Sequence, residues 1–173
     1  MANKVEFQDF SMEVKAAIED AGLAFLHEAI GELESEIKRT TPDRGRWFAE
    51  LEQSWQHVVD ESKLEATVGS RLERALWSEY GTGEYSIAPK GGRQGYWIYV
   101  KGNDLNDSGG YVYNGGKQYT LEDARKIVAM MREEGLEAYY TKGQRPNRTM
   151  QKAFAKLKPK IIKEAQERFG DLE

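Results

Sequence analysis

Two histidines, His27 and His57, and no cysteine are what this chain offers for covalent or metal chemistry. His27 falls within a long predicted helix and His57 in a predicted strand, so a histidine triad or metal cage would need partners that the spacing does not supply. Without a thiol there is no disulfide, no thiolate nucleophile and no cysteine zinc site; this suits a reducing cytosol without proving one. Asp104-Leu105-Asn106-Asp107-Ser108-Gly109 imitates the opening of a calcium loop, with oxygen-bearing side chains ahead of a glycine. The twelfth position counted from Asp104 is Gly115, where such a loop needs glutamate, so a polar surface turn is the better reading. Gly115-Gly116-Lys117 lacks the remainder of a phosphate loop, and no dinucleotide glycine fingerprint follows a strand. Glu133 and Glu134 are adjacent, diverge on a helix and read as solvated charge. No catalytic, cofactor-binding or metal-ligating residue is assigned.

Side chains that bind rather than react are more abundant. Tyr96, Trp97, Tyr99, Tyr111, Tyr113, Tyr119, Tyr139 and Tyr140 lie near Arg93, Lys101 and Lys117 in sequence. Such a cluster packs a small core, forms a protein interface or stacks on single-stranded nucleic acid. Charge is divided along the chain. Between Met1 and Glu36 the acids Glu6, Asp9, Glu13, Glu19, Asp20, Glu28, Glu32, Glu34 and Glu36 meet only Lys4 and Lys15. Between Gly143 and Arg168 the bases Arg145, Arg148, Lys152, Lys156, Lys158, Lys160, Lys163 and Arg168 meet only Glu164 and Glu167. Either two antiparallel helices of one molecule carry complementary faces, or the two arms steer copies of the chain head to tail.

The elements that position these groups follow from periodicity. Phe10, Val14, Ala17, Ile18, Ala21 and Phe25, continued by Leu26, Ile30, Leu33 and Ile37, predict one long helix over 8–39. Thr41-Pro42-Asp43 ends it, because the residue before proline is driven out of the helical region. A loop with Gly45 follows, then an antiparallel pair over 54–61 and 63–69, where Leu64, Ala66 and Val68 alternate with polar neighbours. Residues 71–80 predict a short helix that Gly81 and Gly83 end by admitting positive φ. Pro146 suits a position at or just before the first turn of another helix. The stripe Met150, Phe154, Leu157, Ile161, Ala165, Phe169 predicts that helix, with a kink or restart near Lys158 caused by Pro159. From Glu84 to Lys142 the chain is rich in glycine turns; Tyr96–Val100 reads as a strand, Thr120 caps a helix ended by Gly135, and 136–141 reads as a second strand.

At 173 residues the chain buries roughly 70% of its unfolded surface as one domain. With 39% hydrophobic residues it is not a disordered polymer. No run approaches the roughly 18 apolar residues of a membrane span, and the first residues lack a basic-then-apolar leader, so a protein retained where it is made is expected.

The order of long helix, Thr41-Pro42 with Gly45, Ser54-Trp55 opening a strand, Ala75-Leu76-Trp77-Ser78-Glu79-Tyr80-Gly81-Thr82, then Gly143-Gln144-Arg145-Pro146 leading into Met150 and Ala153, resembles the tail-completion or neck proteins of long-tailed bacteriophages. The resemblance covers about residues 8–83 and 143–169. Asp43 and Gly45 flank Arg44 where the family tends to aspartate-threonine-glycine, and Ser54-Trp55 comes several residues late. The resemblance implies an α+β core of 1–83 and 143–173, long terminal helices on a small antiparallel sheet, with an inserted strand-helix-strand unit at 84–142. It implies a non-enzymatic virion protein that needs no cofactor and forms a ring of its own copies where head joins tail, beside other phage neck and tail proteins and with DNA passing through. A basic lumen would grip phosphates and an acidic one would let the duplex slide. Assembly would take place in the bacterial host cytoplasm, with no membrane involved. Thr41, Pro42, Gly45, Trp77, Glu79, Tyr80, Gly81, Thr82, Gly143, Gln144, Pro146, Met150 and Ala153 are then its turn and interface residues. A small nucleic-acid-binding module, using the aromatic insert and the basic C-terminal helix, is the alternative.

Overall fold

A computed structural model describes residues 11–43, 46–101 and 111–170. The predicted helix start at 8–10, Gly45 and the Asp104–Gly109 turn lie outside the described residues. The fold is mixed α+β. Helix α1 (Ser11–Thr40) leads to α2 (Arg46–Ser54), the hairpin β1 (Trp55–Asp60) and β2 (Glu65–Ser70), and α3 (Glu73–Tyr80). There follow β3 (Trp97–Val100), β4 (Tyr111–Val112), α4 (Leu121–Glu133), β5 (Ala138–Thr141) and α5 (Thr149–Phe169).

Thr41 ends α1 with more than the proline effect. Its N–H donates to the Ile37 and Lys38 carbonyls. Its hydroxyl donates to the Ile37 carbonyl at 2.9 Å and accepts from the buried Trp55 indole N–H at 3.1 Å. The loop expected to run from Gly45 to the first strand is instead α2, whose Phe48 and Leu51, three apart and followed by Trp55, face the core. Ser54 therefore closes a helix rather than opening a strand; its hydroxyl donates to the Leu51 carbonyl, a short-range bond that favours helix ends.

β1 and β2 pair antiparallel from Trp55 with Ser70 to Asp60 with Glu65. Lys63 and Leu64, expected in the second strand, form the turn: Lys63 N–H reaches the Asp60 carbonyl and Leu64 has φ +52°. Ala66 and Val68 keep the expected alternation, while Leu64 is left exposed.

α5 lies antiparallel on α1. Lys156 pairs with Glu36 at 3.0 Å, Lys160 with Glu32 and Arg168 with Glu28, and Phe25 meets Phe169 edge-on at 5.7 Å. The complementary arms are thus satisfied within one molecule along this stretch. The predicted restart at Pro159 is absent, and α5 passes it in one piece. Proline still removes one interior N–H, and ion pairs to α1 lie on both sides of it, from Lys156 and from Lys160.

Two separate clusters form the interior. Ile37, Leu51, Trp55, Ala75 and Ala153 join α1, α2, β1, α3 and α5. Ile98, Val100, Ala124, Val128, Met131 and Ala138 join α4 to a second sheet of order β4-β3-β5, with Tyr96, Tyr113, Tyr119 and Tyr140 packed against it. The strand, helix, strand unit is therefore present, and short β4 adds a third strand that the glycine-rich sequence conceals. Thr120 caps α4, accepting from Asp123 N–H at 3.1 Å, and Gly135 at φ +83° follows the helix end.

Candidate functional site at the junction of α3 and α5

The residues singled out from the sequence converge where α3 ends and α5 begins. Gly81, at φ +73°, donates its N–H to the Trp77 carbonyl and turns the chain out of α3. A Cβ there would stand 2.7 Å from the Gln144 carbonyl oxygen and 2.9 Å from Pro146 Cδ, so the position needs glycine both for its dihedral and for the approach of another backbone. Thr82 and Gln144 then bond reciprocally: Thr82 N–H donates to the Gln144 carbonyl, and Gln144 N–H to the Thr82 hydroxyl, both at 2.9 Å. Glu84 N–H donates to the Lys142 carbonyl at 2.9 Å, and the two side chains pair at the same distance. The Lys142 ammonium, helped by Gly95 N–H, holds the Glu84 carboxyl below its ordinary range. Gly143 is bound in as tightly, since a Cβ on it would meet the Thr82 carbonyl oxygen at 2.0 Å.

Glu79 completes the junction. Arg148, the residue ahead of α5, sits in the left-handed region at φ +55° and supplies no side-chain cap. The Glu79 carboxylate does so from α3, accepting from Met150 N–H at 2.9 Å and Gln151 N–H at 3.0 Å. An anion at a helix N-terminus meets both unpaired donors and the positive end of the helix dipole. Ser78, fully buried, accepts through its carbonyl from Asn147 N–H at 2.7 Å and through its hydroxyl from the Asn147 amide at 3.0 Å. Pro146 stands three residues ahead of Thr149 and packs against Gly81 rather than opening α5. Thr41 closes the far side beside Trp55, with Pro42 following it, while Ala153 is fully buried and Met150 partly buried in the same cluster. Gly45 lies outside the described residues.

The motif therefore divides by helix phase. Ala75, Ser78 and Glu79 face inward or across to α5; Leu76, Trp77 and Tyr80 point outward at 59%, 44% and 42% exposure. Ile87 extends this outward face: its N–H donates to the Tyr80 carbonyl at 2.8 Å and its side chain is exposed. Leu76 was legible from the same helical spacing as Trp77 and Tyr80. Ile87, Asn147 and Lys142 come from irregular segments that carry no periodic signal.

Other candidate groups are dispersed. His27 is exposed on α1, whereas His57 Nδ1 lies 2.5 Å from the Glu34 carboxylate, and Lys38 first and His57 second lower the Glu34 pKa. Among the described residues no group of His, Asp or Glu side chains is arranged to hold a metal ion. Tyr99 and Tyr139 stack at 5.3 Å, Arg132 covers the Tyr139 ring and Arg93 covers Trp97, so cations of the chain itself occupy these aromatic faces. No described helix is long and apolar enough to cross a membrane.

No curated protein and no solved structure gives a significant match to the chain. A family does match the stretch that runs through α1, α2, the hairpin and α3, the part that carries Thr41, Pro42 and the Trp77 to Gly81 turn. That segment, residues 6–81, matches the model of the HK97-gp10-like family, described as "Bacteriophage HK97-gp10, putative tail-component".

Proposed function

We propose that this chain is a non-catalytic subunit of a long-tailed phage virion that acts in tail completion at the junction of head and tail, within a ring of its own copies. The observation that carries the reading is the outward face of Leu76, Trp77, Tyr80 and Ile87 on a helix fixed from behind by Glu79, Ser78 and Gly81. Exposed tryptophan and tyrosine on a rigid support bury large area at small entropic cost, which is how protein interfaces obtain their energy. The family match over residues 6–81 supports a structural role beside other tail proteins. The core of 1–83 and 143–173 builds this face. The insert at 84–142 has its own apolar cluster and rejoins the core through the Thr82 to Glu84 and Lys142 to Gln144 bonds, as an added subdomain would. The protein is placed in the virion and, during assembly, in the host cytoplasm, with DNA passing the ring without sequence-specific contact.

Light scattering and electron microscopy of the purified chain test this. Concentration-dependent association into closed particles is expected, with Trp77→Ala and Leu76→Glu weakening it while leaving circular dichroism and melting unchanged. A monomer with strongly salt-dependent oligonucleotide affinity would establish the nucleic-acid module instead. Lys156, Lys160 and Arg168 are already committed to acids on α1, which removes part of the basic surface that module requires.

A further inference from the structure

The apolar stripe of α1 is longer than the helix that covers it. At Phe25 the stripe meets Phe169, where α5 ends. Toward the N-terminus it continues through Ala21, Ile18, Ala17 and Val14, yet residues 12–21 are all exposed, Val14 at 56% and Ile18 at 42%. About three turns of amphipathic helix thus extend past the end of α5. Among the described residues Glu13 and Asp20, on one flank of the stripe, have no ionic partner; Lys15 and Glu19, on the other, pair with each other at 3.7 Å.

The outer face of α5 has the complementary character. Phe154 and Ile162 are exposed at 52% and 46%, Lys158 lies 6.0 Å over the Phe154 ring, and Lys152 has no acidic partner among the described residues. The inner face of the same helix already receives acidic α1 through Glu28, Glu32 and Glu36.

We infer that the projecting turns of α1 dock on the outer face of α5 of a second copy, Val14 and Ile18 against Phe154 and Ile162, with Glu13 and Asp20 toward Lys152 and Lys158. The contact is heterologous, each copy giving one surface and receiving at another, which is the arrangement that closes into a ring. It deepens the ring reading and rests on it for closure. Three helical turns bury well under the roughly 1,200–2,000 Å² of a stable interface, so one contact alone is weak and closure supplies the cooperativity.

The absence of cysteine makes the test clean. Within one chain Ile18 and Phe154 are separated by about 30 Å along the antiparallel helices, taking 1.5 Å per residue. A disulfide between Ile18→Cys and Phe154→Cys can therefore form only between copies. Oxidation of the double variant is expected to give a ladder of multimers on non-reducing gels, and mixed single variants a dimer only. Ile18→Glu should weaken association roughly tenfold by placing a carboxylate in an apolar contact. Association unchanged in Ile18→Glu, or a ladder no stronger than from a Met130→Cys, Phe154→Cys control, overturns the inference. Rings that form without the ladder overturn it and leave the ring reading standing. A ladder of open chains supports the contact and removes the ring. If residues 1–10 of the same chain cover the stripe, their removal lowers the melting temperature with no ladder in the full chain, which also overturns it.

Discussion

Removing the Glu79 carboxylate is the sharpest test of how the junction is held. Glu79→Ala deletes the acceptor of two N–H groups, those of Met150 and Gln151 at 2.9 and 3.0 Å, at the start of the 21-residue α5. Loss of a capping side chain costs about 0.5–2 kcal/mol, and loss of a negative charge at the positive end of a helix about 0.3–1 kcal/mol more. Glu79 is half-buried and Arg148 offers no substitute cap, so a value near the middle, about 2 kcal/mol, is expected. For a chain of this size that lowers the melting temperature by about 4–8 °C. Glu79→Gln keeps one carbonyl acceptor without the charge and should lose about half as much. Equilibrium urea unfolding measures both, with exposed Glu52→Ala as the control. A Glu79→Ala loss below about 0.5 kcal/mol, the ordinary range of surface substitutions, refutes the capping role.

Gly81→Ala should cost about 2–4 kcal/mol, since the new Cβ meets the Gln144 oxygen at 2.7 Å in a left-handed backbone conformation; a melting temperature equal to wild type would show that the turn relaxes freely. Arg39, then Lys156, pulls the Glu36 carboxyl down from its ordinary 4.5 to about 2. A depressed carboxylate stabilises the fold above its unfolded value and loses that contribution as pH falls through the folded one, so the stability gap between wild type and Glu36→Gln should close between pH 4.5 and about 2. A gap independent of pH in acid titrations followed by circular dichroism would contradict this. Pro159→Ala restores an interior N–H on an exposed turn of α5 and should raise stability by about 1–3 kcal/mol; chemical denaturation showing no gain would mean that the proline is already accommodated.

Elements with strong local signals were legible from the chain. The 3.6-residue stripes of α1, α4 and α5, the Thr120 cap and the glycines at 81 and 135 act through nearest neighbours, so spacing alone reveals them. The helix α2 was not, because nine residues with two core contacts, Phe48 and Leu51, give too short a period to separate from a loop. Short β4 and the turn at Leu64 were hidden for a related reason: glycine-rich and polar segments take their shape from the partner strand rather than from their own residues.

By itself the sequence determined the absence of a thiol and the residues where the chain must turn, because residue type and local dihedral preference are properties of a few neighbouring positions. Only the tertiary structure decided what those residues do. Glu79 and Met150 are 71 positions apart, and no local rule assigns the carboxylate of one helix to the N–H groups of another. The same holds for the charged arms: whether Glu28, Glu32 and Glu36 meet this chain or its neighbour depends on how α5 lies, and the exposed start of α1 becomes visible only once α5 is seen to end at Phe169. Packing is a relation between distant segments, and it divides one continuous stripe into a part that is satisfied at home and a part left facing outward.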